Sequence, residues 1–374
     1  MSLVRTENPL KQILKLGQSI WYDGLVSNEE FEKMINEDGI RGATTNPTIF
    51  EKALRCSQYD AEILRLANVQ NEEGIYKTLS VKAVQQVADK FLPLYNQTKG
   101  RDGFVSIEVS PLLAYDTAKT IGEARELWRL VGRKNIMVKV PATREGIPAV
   151  ETLIREGINI NITLIFSIQR YREVMDAYLS GLEKRNAEGK LISSIDSVAS
   201  FFVSRVDTAA DAQIEKKLAD AADEDQRNRL RNLLGKAAIA NSKMAYQEFE
   251  KIFSSPRFQK LKENGANLQR PLWASTGTKN PNYSDVVYVE ALIGAYTVNT
   301  IPPATLSAFR DHGLAVARLK EGVADAKETL AVLESCGIRL SQITRELEAA
   351  GVGSFADSYK KIVQSIAAKA KMRP

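Results

Sequence analysis

Eight short apolar stretches, each separated from the next by a helical pattern, constrain the fold of this chain more than any other feature. Strands that alternate with helices form parallel sheets, and eight such strands favour a closed (β/α)8 (TIM) barrel. An open doubly wound sheet would show the same alternation, but no glycine-rich dinucleotide-binding motif follows any of these strands. The stretches lie near residues 18–23, 40–44, 103–109, 135–140, 158–164, 197–203, 270–275 and 296–301.

Two long segments do not fit this alternation. Residues 208–268 are charged and helical in pattern, and they are too long for one strand-to-helix connection, so we expect an inserted helical hairpin. Residues 304–373 follow the last strand and predict helices packed outside the barrel, broken at Gly337 and again at 351–353. The prediction is an α/β TIM barrel in one domain, residues 1–374, with an inserted helical segment and C-terminal helices.

A single lysine lies inside the fourth apolar stretch. The sequence Asn-Ile-Met-Val-Lys-Val-Pro-Ala-Thr at 135–143 places Lys139 near the C-terminal end of a buried strand. A buried ammonium is costly unless it is paired or has lost its proton. A neutral lysine amine is a nucleophile that forms Schiff bases with carbonyl substrates, so Lys139 is a candidate for covalent catalysis. The alternative is a lysine that extends to water or pairs with a carboxylate.

Polar residues share one face of three consecutive strands. Alternation places Ser106 and Glu108 on one face of the third strand, and Asn161 and Thr163 on one face of the fifth. The opposite faces of these strands are strongly apolar. In a barrel, these polar side chains and Lys139 would therefore point towards a common interior.

Other strand ends carry polar or charged residues. Asp23 precedes a glycine at the end of the first strand, and Asn46 before a proline predicts a helix N-cap. Arg205, Ser275 and Lys279 follow the sixth and seventh strands, where TIM barrels often bind phosphate. A guanidinium, a hydroxyl and an ammonium suit a phosphate dianion, although each could also be a solvated group in a loop.

Composition excludes several classes of function. The chain has 374 residues and a net charge of +5 from 51 basic and 46 acidic residues, too small an excess to indicate a nucleic-acid surface. With no apolar run of membrane-spanning length and no signal-peptide core, we expect no membrane contact and a cytoplasmic location. The single histidine, His312, excludes a zinc site built from several histidines, and Cys56 and Cys336 lack metal-like spacing. We therefore expect no metal site, and any chemistry must use lysine, carboxylates, hydroxyls and water.

Seven motifs, in order along the chain, resemble those of the transaldolase family in its longer bacterial form. They are Trp-Tyr-Asp-Gly at 21–24, Gly-Ala-Thr-Thr-Asn-Pro at 42–47, Ser-Ile-Glu-Val-Ser at 106–110, Met-Val-Lys-Val-Pro-Ala-Thr at 137–143, Asn-Ile-Asn-Ile-Thr-Leu-Ile-Phe-Ser at 159–167, Ser-Phe-Phe-Val-Ser-Arg at 200–205 and Trp-Ala-Ser at 273–275. The resemblance implies a class I Schiff-base aldolase barrel of the non-oxidative pentose phosphate pathway. Such an enzyme moves a dihydroxyacetone unit from sedoheptulose 7-phosphate to glyceraldehyde 3-phosphate.

The resemblance also implies roles for individual residues. Lys139 would form the Schiff base, Glu108 would move protons through a water held by Thr163, and Asp23 would act on the C4 hydroxyl. The remaining site residues fall into two groups. Substrate would be bound by Asn46, Thr44, Thr45, Ser106, Asn161, Ser200 and Phe202, and phosphate by Arg205, Ser275 and Lys279.

The chain departs from the family pattern in places, and two other functions remain open. An arginine usually follows the Ala-Ser motif closely, whereas here Ser275 leads to Lys279 through Thr-Gly-Thr, so Lys279 is assigned as the replacement cation. A fructose 6-phosphate aldolase would use the same lysine, but we expect glutamine rather than Glu108 there. A non-catalytic sugar-phosphate-binding barrel is the third possibility. The expected partners are sugar phosphates, and the expected state is a monomer or homodimer.

Overall fold

The computed structural model describes residues 7–371, in which eight parallel strands close into a barrel. The hydrogen-bonded order of the strands follows their order along the chain, with β8 returning to pair with β1. The predicted TIM barrel is therefore confirmed. The strands are β1 (Gln18–Asp23), β2 (Gly42–Thr44), β3 (Phe104–Glu108), β4 (Ile136–Pro141), β5 (Ile160–Ile165), β6 (Ser197–Phe202), β7 (Gln269–Ala274) and β8 (Thr297–Ile301).

Helices surround this barrel and connect its strands. None of the helices described combines the length and the apolar character that crossing a membrane requires. The α-helices are α1 (Pro9–Lys15), α2 (Asn28–Lys33), α3 (Pro47–Ala53), α4 (Asp60–Leu66), α5 (Glu72–Gln97), α6 (Thr117–Val131), α7 (Gly146–Glu156), α8 (Ile168–Ala187), α9 (Ser204–Ala219), α10 (Glu224–Arg231), α11 (Ala237–Phe253), α12 (Pro256–Glu263), α13 (Val287–Ala291), α14 (Pro303–His312), α15 (Val323–Ser335) and α16 (Leu340–Lys371).

The segment between β6 and β7 contains four helices, α9 to α12, so the expected hairpin is wrong. Two of the extra helices begin at residues that cap them: the side chain of Asp223 accepts a hydrogen bond from the amide of Gln226, and that of Ser255 from the amide of Phe258. Such caps start new helices within a charged segment whose periodicity alone does not show the breaks. The one-domain assignment stays a prediction, and its residues 1–6 and 372–374 lie outside the described part of the chain.

The C-terminal region differs from the prediction at one of its two expected breaks. Gly337 follows α15 with a left-handed backbone (φ 72°), as expected of a helix end. The break at 351–353 is wrong, because α16 runs unbroken through it. Glycine permits a helix to end but does not require it to. A Cβ atom at Gly351 would lie 2.9 Å from Cδ2 of Leu164, so glycine there allows α16 to pack closely on β5.

Large and charged side chains fill the N-terminal part of the barrel. The rings of Trp21 and Phe104 lie 6.3 Å apart, and a Cβ at Gly42 would come within 2.8 Å of Trp21. Nearer the N-terminal end, Arg270 donates hydrogen bonds to Ser19 Oγ (3.0 Å) and to a carboxylate oxygen of Asp102 (3.1 Å). Because the N-terminal end is filled, we expect the site at the opposite end of the barrel. Inward-pointing residues at the C-terminal ends of the strands lie at this mouth, where TIM barrels place their active sites.

Two helical glycines test how closely the helices pack. A Cβ at Gly353 of α16 meets nothing within 4 Å, so Gly353→Ala should raise the free energy of unfolding by about 0.5–1 kcal/mol through helix propensity. The matched control is Gly181→Ala in α8, where the Cβ would lie 2.7 Å from the main-chain oxygen of Glu151. That variant should lose about 1–3 kcal/mol by overpacking. Urea unfolding measures both, and a loss of stability in Gly353→Ala would contradict an unbroken α16.

Candidate active site

A cavity of about 270 Å³ opens at the C-terminal ends of the strands. Its walls come from the ends of β1, β2 and β4 to β8, from the N-terminal part of α3, and from α16. Polar and charged side chains from different strands therefore converge on one space. Of the residues that alternation directed to the interior, Lys139 and Thr163 line this cavity, whereas Ser106, Glu108 and Asn161 are not among its lining residues. The predicted residues that line the cavity are Asp23, Thr44, Asn46, Lys139, Thr163, Ser200, Phe202, Arg205, Ser275 and Lys279.

Lys139 and Glu108 form a buried ion pair beside this cavity. The strands β3 and β4 place the two residues opposite each other in register, and Lys139 Nζ lies 3.2 Å from Glu108 Oε2. Each side chain is only 5% exposed, so the lysine does not extend to bulk water. Lys139 Nζ also donates to the main-chain oxygen of Thr45 (3.3 Å).

Burial dominates the electrostatics of Glu108. It raises the pKa of the Glu108 carboxyl above its ordinary value, although the positive charge of Lys139 and the hydrogen bond from it act in the opposite direction. A carboxyl with a raised pKa can give up and take back a proton closer to neutral pH. Glu108 therefore has the properties of a general acid/base, and it lies beside the amine of Lys139.

Asp23 lines the same cavity as Lys139, at the end of β1. Its Oδ1 accepts a hydrogen bond from Thr44 Oγ1 (2.8 Å), and the hydroxyls of Thr44 and Thr300 lie 2.6 Å apart. Burial raises the pKa of the Asp23 carboxyl, opposed chiefly by the charge of Lys139 and by the Thr44 hydrogen bond, and more weakly by the charges of Lys279 and Arg205. Asp23 is thus a second carboxyl of the site with a raised pKa.

A chain of hydrogen bonds joins three of the predicted substrate-binding residues. Ser200 Oγ donates to Asn161 Oδ1 (2.7 Å), and Asn161 Nδ2 donates to Ser106 Oγ (3.0 Å). Asn161 and Ser106 are fully buried and are not among the residues that line the cavity, unlike Ser200. Thr45 is also fully buried and is not a lining residue, and its hydroxyl donates to the main-chain oxygen of Ser106 (2.7 Å).

Thr163 differs from these residues because its hydroxyl is unpaired. Thr163 Oγ1 is buried, lines the cavity and makes no hydrogen bond to another of the described groups. The strand β5 is irregular just beyond it, with a register shift between Ile162 and Ile165 and a left-handed backbone at Leu164 (φ 61°). The bulge ends the regular pairing of β5 and leaves this hydroxyl available to a ligand or a water.

The three predicted phosphate-binding residues lie on one side of the cavity. By alternation Arg205 has the wrong parity to share a face with Ser200, but β6 ends at Phe202 and Arg205 lies in the first turn of α9. Its guanidinium lies over the ring of Phe202, 5.4 Å from the ring centroid. Ser275 has a left-handed backbone (φ 56°), and its hydroxyl lies 3.0 Å from that of Ser204.

Several lining residues were not predicted, and three of them add an aromatic ring, a hydroxyl and a cation to the cavity. Phe355 comes from α16 and lies 5.7 Å from Lys139 Nζ, so the C-terminal helix covers the mouth rather than packing only outside the barrel. Nothing in the sequence near Phe355 indicated this contact. Thr300 is a hydroxyl residue next to the C-terminal end of β8, and that position could have identified it. Lys52 adds a cation at the rim from α3.

The histidine and the two cysteines lie outside the cavity. His312 is the last residue of α14, exposed, with its ring nitrogens near Asp285 and Asp311. Cys56 and Cys336 are free thiols. No group of histidine, cysteine and carboxylate side chains within residues 7–371 has the arrangement of a metal site.

The pairing of these hydroxyls predicts unequal effects on stability. Thr163→Val removes a hydroxyl that bonds to no other described group of the protein, so it should change the free energy of unfolding by less than about 0.5 kcal/mol. Ser200→Ala leaves Asn161 Oδ1 without its donor and should lower it by about 1–3 kcal/mol. Urea unfolding of both variants is the measurement. A Thr163→Val variant as unstable as Ser200→Ala would show that the Thr163 hydroxyl has a partner.

Comparisons with known proteins agree with this geometry. A sequence model of the family described as transaldolase/fructose-6-phosphate aldolase matches residues 20–366. The chain is 44% identical to a transaldolase of Trichodesmium erythraeum, with 97% of this chain and 98% of that protein covered. It is also 44% identical to transaldolase 2 of a Nostoc species, over 98% of both chains, and to a transaldolase of Mycolicibacterium smegmatis, over 96% of this chain and 97% of that one. The chain therefore belongs to the transaldolase/fructose-6-phosphate aldolase family.

Proposed function

We propose that the protein is a transaldolase. It would transfer a dihydroxyacetone unit from sedoheptulose 7-phosphate to glyceraldehyde 3-phosphate, giving erythrose 4-phosphate and fructose 6-phosphate. The observation that carries this proposal is the buried contact of 3.2 Å between Lys139 Nζ and Glu108 Oε2, beside a cavity that Lys139 and Asp23 both line. An amine, a proton donor and a second carboxyl are the groups that a Schiff-base aldol cleavage needs.

The first step joins Lys139 to the donor ketose. Lys139 first passes a proton to Glu108, and its neutral Nζ then attacks the C2 carbonyl. The resulting carbinolamine loses water to become a protonated imine. Glu108 supplies the proton that the departing hydroxyl needs, either directly or through a water held by Thr163. Burial favours the protonated form of Glu108, which is the form that this step requires.

The second step breaks the bond between C3 and C4. The carboxylate of Asp23 takes the proton of the C4 hydroxyl, the aldehyde product leaves, and the bonding electrons pass into the protonated imine to give an enamine. The imine is itself the electron sink, so the proposed reaction uses no metal and no cofactor. In the reverse direction the enamine adds to the acceptor aldehyde, Asp23 returns the proton, and water releases the new ketose.

The other predicted residues would hold the substrate during these steps. Asn46 and Ser200 line the cavity and would bind hydroxyls of the three-carbon unit, with Thr44 beside them. Asn161, Ser106 and Thr45 would act mainly by fixing the positions of Ser200 and of the Lys139 strand, since their own polar groups bond to one another and to main chain. These contacts would delay release of the unit before an acceptor arrives.

The phosphate of each substrate would be bound at the other side of the cavity. Arg205, Ser275 and Lys279 line it there, and Phe202 forms the wall under the guanidinium. Burial lowers the pKa of Arg205, and this unfavourable burial of a positive charge would be relieved by a phosphate dianion. Sugar phosphates are therefore the proposed substrates, and we propose a cytoplasmic location for the reaction.

Borohydride trapping tests the first step. Reduction in the presence of fructose 6-phosphate should leave a three-carbon adduct on Lys139, read by peptide mass. Lys139→Arg keeps a positive charge but cannot form the imine, so it should give no adduct and no turnover. An unmodified Lys139 peptide in the wild-type protein would favour a sugar-phosphate-binding barrel without turnover. Near-normal activity in Lys139→Arg would point to another nucleophile.

Product release separates transaldolase from the aldolase named in the same family description. Without an acceptor aldehyde, a transaldolase should convert fructose 6-phosphate to no more than about one equivalent of bound three-carbon unit per site. Sustained formation of free dihydroxyacetone under these conditions would establish the aldolase reaction instead. The position of Glu108, where we expect glutamine in the aldolases, is the observation that favours transfer.

The pH dependence should report Asp23. Since Asp23 must be ionised to take the C4 proton, and burial raises its pKa, the acid limb of kcat/KM should lie above the ordinary range of an aspartate. Thr44→Val removes the hydrogen bond that favours the carboxylate, so the pKa should rise further and the acid limb should move to higher pH. Profiles of kcat/KM against pH measure this. An acid limb that stays in place or moves to lower pH would remove Asp23 from the role of base.

A further inference from the structure

Two buried aspartates on α9 have no part in the proposed reaction. Asp207 and Asp211 are one helical turn apart and are 1% and 6% exposed. A buried carboxylate is costly unless hydrogen bonds satisfy it. Each of these has two donors from outside α9, and in each pair one donor is a tyrosine hydroxyl.

Asp207 connects α9 to two other elements. Its Oδ1 accepts from the amide of Ala238 near the start of α11 (2.6 Å), and its Oδ2 accepts from the hydroxyl of Tyr288 in α13 (2.8 Å). Burial raises the pKa of Asp207 to about 6, so the carboxylate is still largely ionised at neutral pH. An ionised carboxylate is an acceptor on both oxygens, which matches the two donors.

Asp211 makes the corresponding pair of contacts one turn further along α9. Its Oδ1 accepts from the amide of Gly235 (3.0 Å), and its Oδ2 accepts from the hydroxyl of Tyr283 (2.8 Å). Gly235 has a left-handed backbone (φ 69°), and a Cβ there would lie 2.9 Å from Cζ of Tyr283. The glycine therefore makes room for the tyrosine ring beside the aspartate.

The two tyrosines belong to the part of the chain that carries two of the three proposed phosphate-binding side chains. Tyr283 lies in the loop after β7 that also contains Ser275 and Lys279, and Tyr288 lies in the helix that ends this loop. Arg205 lies on α9, two residues before Asp207. The hydrogen bonds thus join the element that carries the arginine to the loop that carries the serine and the lysine.

We propose that Asp207, Asp211, Tyr283 and Tyr288, here called the tyrosine clamp, are positioning residues that hold the loop of Ser275 and Lys279 at the spacing from Arg205 that a substrate phosphate requires. The inference rests on the proposed function, since it takes the phosphate site as given. It also assigns a role to the inserted segment, because the amides of Gly235 and Ala238 come from it and hold the two aspartates in place.

Phenylalanine substitutions remove the clamp hydroxyls and keep the rings. Tyr283→Phe and Tyr288→Phe should each weaken binding of glucitol 6-phosphate, a phosphorylated polyol without a carbonyl, by roughly three- to tenfold in calorimetry, as expected for one lost hydrogen bond. The KM for fructose 6-phosphate should rise by a similar factor while kcat stays within about twofold. Tyr283 is half-buried, so its variant should fold even if Tyr288→Phe does not.

The control is Tyr246→Phe in α11. Its hydroxyl donates to the main-chain oxygen of Ala295 (3.0 Å), so the variant loses a comparable hydrogen bond from the same inserted segment without touching the clamp. It should lower the unfolding midpoint as the clamp variants do, and leave glucitol 6-phosphate binding and KM unchanged.

The outcomes separate the clamp from the proposed function. Clamp variants that match Tyr246→Phe in binding and KM, with similar losses of stability, would reduce the clamp to a structural role and overturn the proposal. A wild-type protein that binds no glucitol 6-phosphate would overturn it as well, together with the phosphate site. Since this ligand cannot form an imine, its binding tests the clamp even if borohydride trapping shows no adduct on Lys139.

Discussion

The rest of the site depends on one contact, the ion pair between Lys139 and Glu108 inside the barrel mouth. Such a pair is weak evidence for stability, because removing two charges from water costs about as much as their attraction returns. Glu108 shows this cost directly, since burial raises its pKa in spite of the neighbouring ammonium. The pair is therefore better explained by chemistry than by folding. The parallel register of β3 and β4 places Lys139 and Glu108 opposite each other, and this placement brings the ion pair together.

Contacts outside the polar mouth hold the barrel together. The N-terminal half of the barrel is filled by Trp21, Phe104 and the Arg270 hydrogen bonds, so the strands are held in register away from the chemistry. At the other end α16 brings Phe355 to within 5.7 Å of the Lys139 amine. A hydroxyl contact between Thr48 and Ser358 (3.0 Å) joins α16 to α3, the helix that Asn46 caps. The amine is thus screened from bulk water by a helix that is distant in the sequence.

The site divides its tasks between strands and connecting segments. The proposed catalytic groups, Lys139, Glu108 and Asp23, all lie on strands of the barrel. The proposed phosphate ligands stand on α9 and on the loop after β7, which need separate support. The tyrosine clamp supplies that support by hydrogen bonds between α9 and the segment after β7. Rigid strands suit groups that must meet a reacting atom within a fraction of an ångström, whereas loops suit recognition of a distal phosphate.

The sequence by itself determined the barrel, because alternating apolar strands and helices leave few other ways to bury both faces of a parallel sheet. It also determined which strand ends carry Asp23, Glu108 and Lys139, since side chains alternate with a period of two along each strand. Only the tertiary structure decided that α16 covers the mouth, that four helices follow β6, and that Asp207 and Asp211 reach Tyr288 and Tyr283. These features depend on packing between segments far apart in the chain, and local periodicity and propensity carry no information about which distant surfaces meet.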